Sequence, residues 1–189
     1  MRGELRRMTI NAFETLSLPP RLDLGEEELR SAFREAGKRM HPDAGGGEGE
    51  FAALKEALAV LSSPSRRLGH WLSLHGTPVE SRGMIAPGLM NLFGKIGSVT
   101  QVAESVIRKR ETAHSALGKA LLEPELQGCL QQVEEMIAEV DACLATECAV
   151  FLPWMSLSPD SGAGSEKVRN LAFLEKWRAS LKGLYARML

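Results

Sequence analysis

Apolar residues recur along this chain at intervals of three and four, the period of a helix face, and almost nowhere in strict alternation. Pro and Gly cut the pattern into segments. Asn11 to Leu18 reads as a short helix closed by Pro19-Pro20. A second helix is expected from about Glu26 to Met40, with Glu26, Glu27 and Glu28 at the positive end of its dipole. Leu29, Phe33, Ala36 and Met40 share one stripe of it, while Arg30, Arg34 and Lys38 share another face. It must stop at His41, because Pro42 drives the residue before it out of the α region. Gly45-Gly46-Gly47 makes a loop. A third helix, about Gly49 to Leu61, carries Phe51, Leu54, Leu58 and Leu61, and a short one follows from Arg66 to Leu74.

Downstream, residues 77–97 hold Pro78, Gly83, Pro87, Gly88, Gly94 and Gly97 and read as a junction. Ser98 to Leu122 is expected to be helical, with Ser98 as a possible N-cap. Glu123 to Ala149 follows, its Leu126, Leu130, Val133, Ile137, Val140 and Leu144 forming a heptad seam. Pro153 and the loop Ser156 to Ser165 break it. A last helix from about Glu166 places Leu171, Leu174, Trp177, Leu181, Leu184 and Met188 on one face. The expectation is an all-α protein: a helical N-terminal domain over 9–76, a junction and start of a bundle over 77–97, and an antiparallel three-helix bundle over 98–189.

Composition changes this picture little. The chain has 189 residues, 44% apolar and 25% charged, and a formal net charge of −1, so nothing global points to nucleic acid or an anionic membrane. Any charge-driven partner must meet a local patch. Cys129, Cys143 and Cys148 make an odd set without a C-x-x-C pair, which reads as small buried hydrophobes rather than a disulfide framework, a zinc site or a cluster site. No run of about 18 apolar residues predicts a membrane span, and the arginines before Met8 lead into no apolar core, so no secretory signal is read there. A cytoplasmic protein without metal or cofactor is the expectation.

The candidate chemistry lies in His41-Pro42-Asp43, directly after a helix with a basic row and before a glycine loop and a second amphipathic helix. One reading of a His-x-Asp pair is a general base with its orienting acid. No nucleophile or oxyanion loop stands near it, so no catalytic residue is assigned. The row of Arg30, Arg34 and Lys38 by itself reads as a solvated face. Gly45-Gly46-Gly47 lacks the Lys-Ser/Thr of a phosphate loop.

The order of short helix, basic-faced helix, HPD, helix and Ser63-Pro64-Ser65-Arg66-Arg67 resembles a J-domain. Phe13, Leu16, Leu18 and Pro19 resemble its opening helix, Leu29 to Met40 its second, and Leu54 to Leu61 its third. That resemblance implies a co-chaperone, not an enzyme, that docks on the ATPase domain of a DnaK-type chaperone and promotes ATP hydrolysis. The implied docking residues are His41, Pro42, Asp43, Arg30, Arg34, Lys38 and Arg39. Arg34, Lys38 and Arg39 suit an acidic surface, with an attraction that salt weakens. Pro42 stiffens the corner from which His41 and Asp43 project, and Asp43 suits a cation on the partner.

Leu72-Ser73-Leu74-His75-Gly76 and Val168-Arg169-Asn170-Leu171-Ala172-Phe173-Leu174-Glu175-Lys176 are similar to segments of HscB-type co-chaperones. These deliver the iron–sulfur scaffold IscU to the specialised chaperone HscA. The resemblance implies that Leu89, Met90, Phe93 and Phe173 contact the scaffold; the other reading of these four is bundle core. Phe173 sits at the margin of its helix's apolar arc. The chain departs from the family at Gly94, Lys95 and Gly97, where glutamates flank the Leu-Met pair, and at Ala44, where a lysine is common. It also lacks the N-terminal cysteine pairs of some eukaryotic relatives. Two other expectations stay open: a J-protein for a different client, and a helical interaction protein whose HPD is vestigial. Trp71, Trp154 and Trp177 are expected to pack, and His70 and His75 to be structural.

Overall fold

The computed structural model describes residues 11–40, 48–80, 82–149, 151 and 161–189. The chain splits into two compact units, Met1–Val79 with Phe151–Ser161, and Glu80–Val150 with Gly162–Leu189. All regular structure among the described residues is helical, as the period of the apolar residues requires.

The first unit holds α1 (Ala12–Thr15), α2 (Glu26–Met40), α3 (Glu48–Ser62) and α4 (Pro64–Leu74). α3 is the centre: α1, α2 and α4 each pack on it. Phe13, Leu16, Leu22, Leu24, Leu29, Ala36, Leu54, Ala57, Leu61, Leu68 and Leu72 are buried there. Phe33 and Phe51 are half-buried and face each other, ring centroids 6.4 Å apart. Asn11 caps α1, its side-chain oxygen accepting from the Phe13 N–H at 3.1 Å. α4 starts at Pro64, two residues before the expected Arg66, because Ser63 caps it through the Arg66 N–H and Pro suits the first helical position.

α4 also grips the chain between α1 and α2. The Arg67 guanidinium, buried, donates to the Leu24 carbonyl at 2.8 Å. The Trp71 indole donates to the Pro20 carbonyl at 3.1 Å. His70 Nε2 accepts from the Ala12 N–H at 3.0 Å while its ring stacks on Phe13. That geometry puts the ring proton on Nδ1 and requires a neutral imidazole. Partial burial pushes the His70 pKa below its ordinary value, in the same direction.

The second unit holds α5 (Pro87–Thr112), α6 (Ala116–Ala149) and α7 (Ser161–Met188). Lys95 reaches Glu139 at 2.7 Å and Lys109 reaches Glu125 at 2.5 Å, so α5 and α6 run antiparallel. Lys167–Glu147 and Arg178–Asp141, each at 2.5 Å, turn α7 back along α6. Arg187 grips Glu104 with both nitrogens, at 2.5 and 3.0 Å, and Arg110 donates to the Met188 carbonyl at 2.7 Å, aligning α7 parallel with α5. Most of these pairs are open to solvent, which screens them, so they add little to stability. The bundle stands on its apolar seams. Leu171, Leu174, Trp177, Leu181, Leu184 and Met188 are all buried, each contributing roughly 1.5–3 kcal/mol.

The helix boundaries of the second unit differ from the sequence reading, and α7 starts at Ser161, inside the expected loop Ser156 to Ser165 and five residues before Glu166. α5 begins at Pro87, eleven residues before Ser98. Pro87 occupies the first turn, where a missing N–H costs nothing, and the buried Leu89, Leu92 and Ile96 carry the helix through Gly94 and Gly97. Ser98 is no cap; its hydroxyl donates to the Gly94 carbonyl inside the helix. The α5–α6 turn falls at 113–115 rather than near Leu122, and Pro124 lies within α6 instead of heading a new helix. On the α6 seam Met136 is buried where Ile137 was expected, and Ile137 is half-buried.

Candidate functional site

His41, Pro42 and Asp43 lie outside the described residues. The helix that leads to them is described as far as Arg39, side chains included. Arg30, Arg34, Lys38 and Arg39 are all exposed. Three of them are answered by carboxylates of α2 itself. Arg30 donates to Glu26, one turn back; Arg34 reaches Glu27 at 2.9 Å and Lys38 reaches Glu35 at 2.7 Å. The hydrogen bond from Lys38, then the charges of Lys38, Arg39 and Arg34, hold the Glu35 carboxyl below the usual range. The i, i+4 spacing of Glu26 and Arg30 and the i, i+3 spacing of Glu35 and Lys38 were signals in the sequence for this neutralisation.

Arg39 differs from the other three. Its guanidinium donates to the hydroxyl of Ser17, 3.3 Å away on the chain leaving α1. Ser17 stands at φ +56°, in the left-handed region. Its N–H donates to the Glu14 carbonyl at 2.9 Å and the Leu18 N–H to the Phe13 carbonyl at 2.8 Å. These two bonds close α1 by a Schellman motif whose left-handed position glycine normally takes.

In the second unit the four residues assigned to the client separate. Leu89 is 7% exposed and belongs to the bundle core with Leu92 and Ile96, because its side chain falls on the inner stripe of α5. Met90, Phe93 and Phe173 are 55%, 53% and 39% exposed. The rings of Phe93 on α5 and Phe173 on α7 lie 5.7 and 5.8 Å from the buried ring of Trp177. The result is an apolar patch built around a buried indole, with Met90 one turn before Phe93. Met and aromatic side chains are enriched at protein interfaces, which makes this patch the candidate surface of the second unit. Lys95 reaches across to Glu139 on α6. A Cβ at Gly94 or Gly97 would meet nothing within 4 Å, so packing inside the chain does not require glycine at either position.

The start of α5, and with it the patch, is fixed by α7. The Arg169 guanidinium donates to the carbonyls of Glu80 at 2.9 Å, Arg82 at 3.1 Å and Met84 at 3.3 Å. The buried Ser165 hydroxyl accepts from the Glu80 N–H at 2.9 Å, and the buried Asn170 side-chain oxygen accepts from the Ala86 N–H at 3.1 Å. Gly83 takes φ +145° beneath this guanidinium. Sequence reading missed these partners, since 84 to 89 residues separate them.

Trp71 and Trp177 are buried, and Trp154 lies outside the described residues. His75 is exposed, its ring 4.0 Å from that of Trp71. No disulfide joins the three cysteines, and burial pushes Cys129 and Cys143 above the usual thiol range. Among the described residues no three His, Cys, Asp or Glu side chains gather into a set able to hold a metal ion. No described helix is long and apolar enough to cross a membrane.

These two units have the architecture of a J-domain joined to an antiparallel three-helix bundle, the HscB type that the sequence resembles. The chain is similar over 95% of its length to the chaperone HscB from Vibrio cholerae, all of which is covered, with a TM-score of 0.58 and 22% sequence identity. At that identity the likeness is one of fold. A local likeness in sequence accompanies it. Over 55 residues, 29% of this chain, the identity is 44% to a tetratricopeptide repeat and J domain-containing co-chaperone of Cryptococcus neoformans var. grubii. That match spans 10% of the fungal protein's length. No protein-family model matches the chain.

Proposed function

We propose that this protein is a J-domain co-chaperone that stimulates the ATPase of a DnaK- or HscA-type chaperone and delivers an IscU-type iron–sulfur scaffold to it. The observation that carries the reading is the His41-Pro42-Asp43 tripeptide following the basic-faced α2 in a chain of HscB fold. The local likeness to a J domain-containing co-chaperone supports the chaperone as partner. In this reading Arg30, Arg34, Lys38 and Arg39 with His41, Pro42 and Asp43 meet the chaperone. Met90, Phe93 and Phe173 meet the client, and Leu89 supports them from the core. The protein itself performs no chemistry; it accelerates its partner's. Cysteines without a disulfide suit a reducing, cytoplasmic setting for the same activity.

Single-turnover ATP hydrolysis by the cognate chaperone, with and without scaffold, tests the proposal. Acceleration that needs both proteins, and that His41→Gln abolishes without unfolding the chain, is expected. Equal acceleration by His41→Gln would refute the docking assignment. A second reading, a J-domain protein serving another client, is favoured by one observation: Gly94, Lys95 and Gly97 stand beside the patch in place of glutamates. Acceleration without any scaffold effect, and an unchanged scaffold dissociation constant in Met90→Ala with Phe173→Ala, would favour it.

A further inference from the structure

Ser17 is a non-glycine residue at a position that favours glycine, and it touches a cation next to the proposed chaperone-docking tripeptide. A side chain in the left-handed region crowds its own backbone, so serine makes this turn less stable than glycine would. No residue but Ser17 combines a positive φ with a side chain among the described residues. Strain held in one place asks what the side chain does there. The Ser17 hydroxyl accepts a hydrogen bond from Arg39 at 3.3 Å, tying the turn after α1 to the last turn of α2.

The identity of the cation adds to this. Arg30, Arg34 and Lys38 each spend charge on a carboxylate of their own helix. Arg39 is held by a neutral hydroxyl, which restrains a guanidinium without cancelling it. Glu35 lies within electrostatic reach of it but gives its hydrogen bond to Lys38. Arg39 stands two residues before His41. A flexible arginine loses rotamer freedom when it docks, and a side chain already restrained loses less.

We propose that Ser17 is a positioning residue for chaperone docking. It accepts backbone strain in order to hold Arg39 pre-aimed with its full charge. This rests on the chaperone-docking reading above. It also says that the docking face has an element outside α2, contributed by the turn after α1.

The test uses substitutions in the whole chain that move stability and docking in opposite directions. Ser17→Gly relieves the backbone and removes the hydroxyl. Its folding equilibrium should improve about two- to fivefold. The concentration giving half-maximal stimulation of chaperone ATP hydrolysis should rise about two- to tenfold, with maximal stimulation unchanged. Ser17→Ala should show the same docking loss without the gain in stability. Ser17→Asn, which tolerates the left-handed region and offers an acceptor, should restore half-maximal stimulation to the wild-type concentration. Adding Ser17→Gly to Arg39→Gln should cost nothing beyond Arg39→Gln alone. A Ser17→Gly protein that docks like wild type, or docking that simply follows stability across the variants, would overturn the proposal. Loss in His41→Gln with no change in Ser17→Gly removes the Ser17 assignment alone. A His41→Gln protein as active as wild type removes the docking reading and this inference with it.

Discussion

Gly83→Ala tests how firmly α7 holds the chain that leads into α5. Gly83 has φ +145°, a conformation L side chains rarely adopt, so the backbone alone should cost about 1–3 kcal/mol. The new Cβ would lie 2.6 Å from Arg169 Cζ and 2.7 Å from one of its terminal nitrogens. The guanidinium is the end of a flexible side chain and can move. Moving it breaks its bonds to the carbonyls of Glu80, Arg82 and Met84. At roughly 0.5 kcal/mol each for bonds open to water, that adds about 1–1.5 kcal/mol. The expected total is about 2–4.5 kcal/mol. Amide exchange at the buried Leu171, Leu174 and Leu181 reads opening of the second unit by itself. In an Arg169→Ala background only the backbone part should remain, a coupling of about 1 kcal/mol. A cost below about 0.5 kcal/mol, or the same cost with and without Arg169, would refute the reasoning.

Two further expectations follow from the geometry. His70 is held neutral in the fold, its pKa below the ordinary value, so the unfolded chain takes up the proton first. Stability should be full above about pH 6.5 and fall as the pH drops through the lowered value, a slope that thermal unfolding between pH 7.5 and 5 would show and that His70→Gln should flatten. An unaltered slope in that variant would locate the pH dependence elsewhere. Pro124 cannot donate to the Ala120 carbonyl within α6, so Pro124→Ala should stabilise the helix by up to about 3 kcal/mol, seen as slower exchange over 116–123; unchanged exchange there would mean that this turn is set by its surroundings.

Much of this fold was legible because it rests on local patterns. The bounds of α2 follow from its acidic start and the proline at 42. The six α7 positions named from periodicity are all buried, since a helix packed on two neighbours must bury one stripe. The start of α5 was not legible. Pro87, Gly88, Gly94 and Gly97 carry breaker propensities that the buried Leu89, Leu92 and Ile96 override, and packing is not visible in propensity. The site divides along the same line. Phe173 was readable as a surface candidate from the margin of its helix's apolar arc, but Leu89, Met90 and Phe93 could be told apart only once the phase of α5 was fixed. The neutralisation of the α2 cations was open to inspection in the spacing of Glu26, Glu27 and Glu35. The grip of Ser17 on Arg39 was not, because 22 residues separate them.

The Arg169 grip also orders events during synthesis. α1, α2 and α4 pack on α3 within the first 79 residues and can do so as soon as those have emerged. Glu80, Arg82 and Ala86 wait for Ser165, Arg169 and Asn170, which follow 84 to 89 residues later. At about 5–20 residues per second that is a delay of roughly 4–18 s. Through that interval the nascent chain carries the packed helices α1 to α4 ahead of a helical bundle that does not yet exist.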